Sequence, residues 1–208
     1  MVISAAVLIG YLIGSIPFGY IVVRFFSGKD IRDYGSGSTG ATNVSRKLGL
    51  KWAVVSGLLD VGKGAIAVLI WRWIAPEMEL LQAFAALAAI LGHIFPVWIG
   101  FKGGKGINTA FGAALVISPW AALLALIAFA SAFAIARFVS IGSISAVFVY
   151  TIVVIVFGDN LGGRTIDSVV FASCLPVIIL WTHRRNIKRL IRHEELSPGK
   201  GKNIGTRL

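Results

Sequence analysis

The sequence predicts an all-α polytopic membrane protein with about seven transmembrane helices. Hydrophobic residues make up 57% of the 208 residues and charged residues only 14%, whereas a soluble domain averages about 45–50% and about 25%. The apolar residues form runs close to the roughly 20 residues that a spanning helix needs, separated by short polar segments. The charge is one-sided, with 20 Lys and Arg against 9 Asp and Glu.

Composition excludes three other classes of protein. Disordered chains are poor in apolar residues, and this chain is rich in them. The single cysteine, Cys174, excludes a disulfide scaffold. A soluble nucleic-acid binder would be basic but much less apolar, so no nucleic acid is expected as a partner. Membrane lipids are the expected surroundings.

The predicted spans follow the apolar runs in chain order. They cover residues 2–23, 52–74, 80–101, 107–118, 120–136, 143–157 and 166–182. The first run lacks the basic start and small-residue cleavage site of a signal peptide, so it is predicted to be a retained helix, kinked at Pro17. The run 107–118 is too short for a full perpendicular span, which predicts a short or re-entrant helix and leaves six full spans plus one partial as an alternative.

The predicted organisation is one integral membrane domain, residues 1–195, followed by a basic tail, residues 196–208. Seven spans put the two termini on opposite faces of the membrane. The loops 24–51 and 102–106, Arg137 and the segment from His183 then share one face, where they carry 6, 2, 1 and 8 Lys and Arg, 17 of the 20. The positive-inside rule puts this face in the cytoplasm, with the N-terminus outside and the C-terminus cytoplasmic.

Three polar segments on this face carry candidate chemistry, and the first is the densest in hydrogen-bond donors. It reads Gly-Ser-Gly-Ser-Thr-Gly-Ala-Thr-Asn from Gly35 to Asn43, and Arg46 follows. Glycines and small hydroxyl residues let backbone amides turn toward an oxyanion, and an arginine can bind phosphate through two nitrogens. The alternative is a flexible loop at the membrane surface.

The second segment, Phe101 to Gly106, places two lysines among glycines just before the short run 107–118. A glycine turn at a helix N-terminus is an anion site on physical grounds, although the spacing is not that of a P-loop. Thr109 lies just inside the helix. The alternative is a basic turn with lysines at the membrane interface.

The third segment follows the last predicted span and contains His183, Arg184, Asn186 and Arg189. His183 and Asn186 are three residues apart, so they share a face if the helix continues. The alternative is a basic helix at lipid headgroups, which is the favoured interpretation for Arg184, Arg185, Lys188 and Arg192.

Three ionisable residues lie inside predicted spans, where charge is costly and usually functional or paired. Asp60 and Lys63 are three apart in the second span. The simplest interpretation is mutual neutralisation beside a polar cavity, with purely structural pairing as the alternative. His93, in the third span, is by itself more typical of a hydrogen-bonded core residue than of a ligand.

Several familiar chemistries are absent from the sequence. It has no His, Cys and carboxylate cluster with metal spacing, so no metal and no cofactor are expected. It has no nucleophilic serine in a Gly-x-Ser-x-Gly turn, and none of its three histidines has an aspartate five residues later. An enzyme with this sequence would depend on pre-organised cations and amides.

Together the segments resemble the bacterial acyl-phosphate:glycerol-3-phosphate acyltransferases, the PlsY type. The resemblance is carried by GSGSTGATNVSR, GHIFPVWIGFKGGKGINTAFG and HRRNIKRL, and by LLDVGKG in the second span. It extends from the first span to about residue 195, with matching order and spacing. It implies a multi-pass enzyme of the bacterial inner membrane, with its active site on the cytoplasmic face.

The implied reaction moves a fatty acyl chain from acyl phosphate to the 1-hydroxyl of glycerol 3-phosphate. It gives 1-acyl-glycerol 3-phosphate (lysophosphatidic acid) and phosphate, the first acylation of phospholipid synthesis. Neither acyl-CoA nor acyl carrier protein would be the direct donor, and no metal would be needed. A transporter of a phosphorylated solute and a non-catalytic scaffold are the alternatives, but no internal repeat supports a transporter.

The resemblance and the donor clusters together define the expected site. The expected catalytic residues are Ser36, Arg46, Lys105, His183 and Asn186. The expected substrate-binding residues are Gly37, Ser38, Thr39, Thr42, Asn43, Lys63, His93, Gly103, Gly104, Gly106 and Thr109. Arg46, Lys105 and the loop amides would hold phosphates, and either His183 or a phosphate oxygen of the substrate would accept the hydroxyl proton. The resemblance also implies a structural role for Glu195, although His193 stands where the family usually has glycine.

Overall fold

A computed structural model of the chain describes residues 1–158 and 164–195. Within these residues the structure is helical, without strands. The helices are α1 (Val2–Gly14), α2 (Phe18–Ser27), α3 (Ala41–Leu48), α4 (Leu50–Ile74), α5 (Glu79–Ile94), α6 (Ile107–Ile117), α7 (Pro119–Ala136), α8 (Val139–Phe157) and α9 (Ile166–Ile191). The predicted tail, residues 196–208, lies outside the described residues.

Six helical segments are long and apolar enough to cross a membrane. They are Val2–Ser27, Leu50–Ile74, Glu79–Ile99, Pro119–Ala136, Val139–Phe157 and Ile166–Ile191. The prediction of an all-α membrane protein is therefore confirmed in outline. Helix α6 has only 11 residues, a rise of about 16 Å against a hydrocarbon core of about 30 Å. The count of seven spans stays a prediction.

Two predicted spans end more than five residues away from the ends of their α-helices in the structure. The third run is helical only to Ile94, because Pro96 lacks an amide donor and Gly100 has a positive φ of 69°, so the chain folds back after a short 3-10 turn. The last helix continues to Ile191, well past the predicted end at residue 182. Its final turns are rich in lysine and arginine, which are good helix formers outside the apolar core.

The first apolar run is broken between α1 and α2, as Pro17 predicts. Ser15 donates its amide to Tyr11, and Phe18 donates its amide to the Ile16 carbonyl at 3.2 Å. The Ile16 carbonyl also accepts a bond from Lys63 Nζ at 2.8 Å. The break therefore exposes a backbone acceptor to α4.

Helix α6 is held against α4 by direct contact between the two backbones. A β-carbon on Gly64 would overlap the Thr109 carbonyl, and one on Gly112 would overlap the Val61 carbonyl. Small residues at such crossings let membrane helices approach closely. At its C-terminal end, the Val116 carbonyl of α6 accepts a bond from Arg72 of α4 at 2.6 Å. The short helix is thereby fixed along its length.

The helix termini are grouped at two ends of the bundle. One end, here called the site end, brings together α3, the starts of α6 and α8, and the later parts of α5 and α9, all of which line one cavity. At the opposite end, the Ile166 amide donates to Glu79 Oε2 at 3.1 Å, joining the starts of α5 and α9. The polar segments predicted from the sequence all lie at the site end.

Candidate active site

The site end contains a polar cavity of about 170 Å³. Its walls come from six parts of the chain: the segment before and within α3, Asp60 of α4, the end of α5 with the start of α6, Phe129 of α7, the start of α8, and the end of α9 with Glu195. Polar and charged lining residues are Ser36, Ser38, Thr42, Asn43, Arg46, Asp60, His93, Lys105, Asn108, Ser140, Ser143, His183, Asn186, Arg189 and Glu195.

The segment 34–40, here called the serine loop, is organised by one buried amide. Asn43 Nδ2 lies within hydrogen-bond distance of the Ile31, Tyr34 and Ser38 carbonyls, at 3.1, 2.8 and 2.9 Å, and Asn43 Oδ1 accepts from the Ser36 amide at 3.0 Å. The hydroxyls of Ser36 and Ser38 are then 2.9 Å apart. Asn43 therefore shapes the loop that presents both hydroxyls.

The segment 100–106, here called the lysine loop, is organised by backbone bonds. It folds back along the end of α5, where the Gly103 and Gly104 amides donate to the Ile94 and His93 carbonyls at 3.1 and 3.0 Å. Gly106 has a positive φ of 84° and caps α6. These bonds place Lys105 in the cavity wall at the N-terminus of α6, where the helix dipole favours an anion.

The two loops contact each other. The Thr39 amide donates to the Gly103 carbonyl at 3.4 Å, and just before the two loops Arg32 donates to the Ile99 carbonyl at 2.6 Å. Arg32 is itself held by Asp30, whose carboxylate is 2.7 Å away; hydrogen bonding to Arg32 lowers the pKa of Asp30 below its usual value. The serine and lysine loops therefore form one surface.

The third segment closes the cavity by a turn after α9. His183 and Asn186 are both buried on one face of the helix, as their spacing predicts. His193 then turns the chain with a positive φ of 56°, and Glu195 returns to the cavity. Its carboxylate accepts from Asn186 Nδ2, from Arg189 Nε at 2.8 Å and from Ser140 Oγ at 3.3 Å.

His183 is held in one orientation. Its Nδ1 is 2.9 Å from the Ile179 carbonyl. A carbonyl oxygen only accepts, so this bond assigns the ring proton to Nδ1 and leaves Nε2 as an acceptor. Thr182, the preceding residue, donates to the Lys105 carbonyl at 3.4 Å. The end of α9 and the lysine loop are thereby joined beside the ring.

Three cations and one carboxylate dominate the electrostatics of the cavity. Burial lowers the pKa of Lys105 to about 8; Arg46 and Arg189 lower it as well, and Glu195 acts in the opposite direction. Burial also lowers the pKa of Arg46 from its usual value. Such a site is suited to a ligand with at least two negative charges, which would replace the water that these cations lose.

The intramembrane ion pair extends from α4 toward this cavity. Lys63 Nζ is 2.8 Å from Asp60 Oδ1, and His93 Nδ1 is 3.4 Å from the same oxygen. Asp60 and His93 line the cavity, whereas Lys63 points away from it to the Ile16 carbonyl. The predicted neutral pair beside a polar cavity is therefore present, with Lys63 on its far side.

An apolar groove of about 140 Å³ continues from the polar cavity between α6, α7 and α8. The two spaces share Ile107, Asn108, Phe129 and Ser143. Farther along, the groove is lined by small and branched apolar side chains and ends at Tyr150 and Leu175. One side of the junction therefore fits a charged group, and the other fits a hydrocarbon.

Ten of the residues predicted from the sequence line the cavity. They are Ser36, Ser38, Thr42, Asn43, Arg46, His93, Lys105, Gly106, His183 and Asn186. Six others are outside its lining: Gly37, Thr39, Lys63, Gly103, Gly104 and Thr109. Of these, Thr39, Gly103 and Gly104 shape the loops through backbone contacts, and the backbone of Thr109 meets Gly64 of α4.

Sequence reasoning missed several polar lining residues. Ser140 and Ser143 are three residues apart at the start of α8 and line the cavity. They form a small polar pair just after Arg137, at the beginning of an apolar span. Asn108 lies just after the lysine loop, separated from it by Ile107, and Arg189 is named in the third segment without a role. Within residues 1–158 and 164–195, no group of three or more His, Cys, Asp and Glu could hold a metal ion.

Comparisons with known proteins agree on one family. The family model described as glycerol-3-phosphate acyltransferase matches residues 4–193. A glycerol-3-phosphate acyltransferase of Anaeromyxobacter sp. (strain Fw109-5) is 43% identical over 190 residues, covering 89% of this chain and 91% of that protein.

Solved structures give the same result. The crystal structure of PlsY (YgiH), an integral membrane glycerol 3-phosphate acyltransferase, in its glycerol 3-phosphate form is similar with a TM-score of 0.85 at 36% identity, covering 94% of both chains. Its lysophosphatidic acid form has a TM-score of 0.81 at 34% identity with the same coverage.

Proposed function

The chain belongs to the glycerol-3-phosphate acyltransferase family, and we propose that it transfers a fatty acyl chain from acyl phosphate to the 1-hydroxyl of glycerol 3-phosphate. The products are 1-acyl-glycerol 3-phosphate and inorganic phosphate. Acyl-CoA and acyl carrier protein are not direct donors. This is the first acylation of phospholipid synthesis, and its lipid product is formed next to the membrane that it enters.

One observation carries this proposal: a cationic cavity and an apolar groove meet at Asn108 and Ser143. A soluble phosphorylated alcohol fits the first space, and an acyl chain fits the second. The acyl carbonyl then stands at the junction, close to the hydroxyl that attacks it. Such alignment converts a bimolecular reaction into an effectively unimolecular one.

The residues of the cavity have distinct roles. Arg46 and Lys105 bind phosphate groups, and the Ser36 hydroxyl adds a neutral donor. Acyl phosphate is a mixed anhydride with a good leaving group, so the protein mainly has to align the alcohol and stabilise the growing negative charge. The alcohol oxygen bonds to the acyl carbon, the bond from that carbon to the phosphate oxygen breaks, and phosphate leaves.

His183 orients the attacking alcohol. Its Nε2 is an acceptor because Nδ1 donates to the Ile179 carbonyl. A hydroxyl that donates to Nε2 directs an oxygen lone pair at the acyl carbon. The proton passes either to His183 or to a phosphate oxygen of the substrate. The pH–rate profile of His183→Gln separates these routes, because a profile equal to that of the wild type excludes His183 as the base.

The proposed topology has seven crossings, with the N-terminus outside and the site end in the cytoplasm. The order of helix ends supports it: α6 begins at the site end, and α7 returns there before α8 starts. Cysteines introduced at Lys29 and Glu77, in a Cys174→Ser background, test the orientation in intact cells of a bacterial host. An impermeant maleimide should label position 77 from outside and position 29 only after lysis; the reverse pattern contradicts the proposal.

The central experiment incubates purified protein with palmitoyl phosphate and glycerol 3-phosphate and detects lysophosphatidic acid by mass spectrometry. Palmitoyl-CoA and palmitoyl-acyl carrier protein replace the donor in parallel reactions and should give no product. Arg46→Ala should abolish turnover, whereas Lys47→Ala, at the next position of α3, should keep it. Absence of product from the wild type with every donor refutes the proposed function.

A further inference from the structure

A buried polar chain connects the broken first helix to the lysine loop. The exposed fractions of the Asp60 and Lys63 side chains are 1% and 2%, and that of His93 is 6%. Lys63 joins the Ile16 carbonyl to Asp60 Oδ1, with both contacts at 2.8 Å, and the same oxygen lies 3.4 Å from His93 Nδ1. Apolar side chains of similar volume would fill this space without desolvating charge. Three ionisable groups in a membrane helix pair therefore require an explanation.

The far side of the His93 ring lies against the lysine loop. A β-carbon on Gly104 would overlap Nε2 of His93 and would meet Cδ2 and Cε1 of the ring at 3.0 and 3.1 Å. The Gly104 amide also donates to the His93 carbonyl at 3.0 Å. His93 of α5 therefore contacts the lysine loop through both its backbone and its ring. Both contacts are with Gly104, the residue before Lys105.

The direction of the ring is set by charge. Asp60 attracts the Nδ1 edge, so the opposite edge, with Nε2, faces Gly104. Lys63 neutralises Asp60, which allows the carboxylate to stay in an apolar bundle. An aliphatic side chain at position 93 would fill space but would have no polar edge for Asp60 to attract.

We propose that His93, oriented by the Asp60–Lys63 pair, is a positioning residue that sets where the lysine loop places the Lys105 ammonium. The proposal rests on the proposed function and deepens it, because it assigns the intramembrane charges to the binding of the glycerol 3-phosphate phosphate group. His93 acts through the backbone of Gly104 and needs no contact with substrate.

A double-mutant cycle tests the contact between the ring and the loop. Gly104→Ala should raise the KM for glycerol 3-phosphate at least tenfold, because the new methyl group displaces the loop from the ring. In a His93→Ala background the ring is gone, so adding Gly104→Ala should change this KM by less than twofold. The KM for palmitoyl phosphate should stay within twofold in all four proteins.

Gly103→Ala is the matched control. A β-carbon there would overlap the His93 carbonyl, which is backbone, and would also meet Pro96. His93→Ala leaves that carbonyl in place, so it should not rescue Gly103→Ala. Rescue of both glycine variants, or of neither, overturns the proposal, because only Gly104 faces the ring.

Two further variants test the role of charge. His93→Phe keeps a ring beside Gly104 but loses the attraction to Asp60, so the KM for glycerol 3-phosphate should rise while Gly104→Ala remains unrescued. Asp60→Asn combined with Lys63→Gln removes both charges and should raise the same KM threefold to tenfold. This effect should not add to that of His93→Ala; full additivity would mean that the pair does not act through the ring.

The double-mutant cycle can also be measured by the binding of phosphate. This measurement tests the positioning role independently of the proposed function. Affinity of the detergent-solubilised protein for inorganic phosphate, measured by protection against thermal unfolding, does not require turnover. A wild type that binds phosphate but makes no product contradicts the proposed function and still permits the cycle. If the wild type makes product and the two mutations have independent effects on phosphate affinity and KM, the positioning role is wrong.

Discussion

The serine loop and the lysine loop face the same cavity but are held in different ways. In the serine loop, the side chain of Asn43 makes the bonds that fix the backbone. In the lysine loop, the backbone bonds to the end of α5 and turns at glycines, with the His93 ring beneath it. A loop fixed by one amide depends on one residue type, whereas a loop fixed by its backbone depends on positions that must stay without a side chain.

This difference predicts where substitutions act. In the serine loop the Asn43 side chain holds the backbone that presents the hydroxyls of Ser36 and Ser38, so losing this one side chain should lower stability and activity together. In the lysine loop, the glycines hold the structure and Lys105 supplies the charge. Removing that charge leaves the backbone bonds intact and should change activity alone.

Among substitutions that compare the two loops, the largest effect is expected for Lys105→Met. Loss of one pre-organised donor to a developing charge costs about 10²–10³-fold in rate, and the backbone bonds of the lysine loop should keep the fold. We expect that loss in kcat/KM for glycerol 3-phosphate with an unchanged melting temperature. Lys102→Met is the control, because Lys102 is exposed on the same loop and does not line the cavity. Equal losses in both variants would mean that only the overall positive charge matters.

Asn43→Ala should unfold the serine loop. This variant tests whether that loop depends on a single side-chain amide. The variant loses up to four hydrogen bonds at about 1 kcal/mol each, and we expect the free energy of unfolding to fall by about 2–4 kcal/mol. Activity should fall with it because Ser36 and Ser38 lose their support. Ser45→Ala, which loses one bond to the Thr42 carbonyl, should have a much smaller effect. A stable, inactive Asn43→Ala would instead indicate direct contact with substrate.

The decline in activity at high pH should report on the lysine loop. The pKa of Lys105 is lowered to about 8 by burial, so its ammonium is mostly charged at pH 7 and loses charge as the pH rises through 8. Because kcat/KM reports on the free enzyme, this constant for glycerol 3-phosphate should fall about tenfold per pH unit above 8. Lys105→Arg should remove that decline from the measured range. A decline that persists in Lys105→Arg must come from another group.

The smallest effect is expected for His193→Gly, which extends the comparison to the turn after α9. His193 has a positive φ of 56°, a conformation that costs a residue with a β-carbon about 1 kcal/mol. Glycine avoids this cost, which accounts for the glycine that the family usually has at this position. The substitution should raise the melting temperature by about 1–3 °C with activity within twofold. His193→Ala removes the imidazole without relieving the backbone and should not be stabilising.

The sequence predicts the fold class and the three chemical segments because both are encoded locally. Runs of apolar residues identify helices, and glycines next to cations mark anion-binding turns. Spacing alone placed His183 and Asn186 on one face, which the structure confirms. The predicted span ends at residue 182 although the helix continues to Ile191, because an apolar run ends where the lipid ends and not where the helix does.

The rest of the site depends on how the helices are rotated and which ones are neighbours. The spacing of Asp60 and Lys63 shows that they share a face of α4, but not that Asp60 turns to His93 while Lys63 turns to Ile16. Ser140 enters the cavity only because α8 packs beside the end of α9, and that pairing leaves no local signal in the sequence.

The position of Glu195 has a consequence for the order in which the protein becomes active during its synthesis. The carboxylate that joins Asn186, Arg189 and Ser140 is contributed after every helix that it contacts has been made. A nascent chain can therefore insert its helices and assemble both loops while one wall of the cavity is still missing. By the same reasoning, we expect proteolytic clipping before residue 195 to leave an inserted bundle with an incomplete cavity.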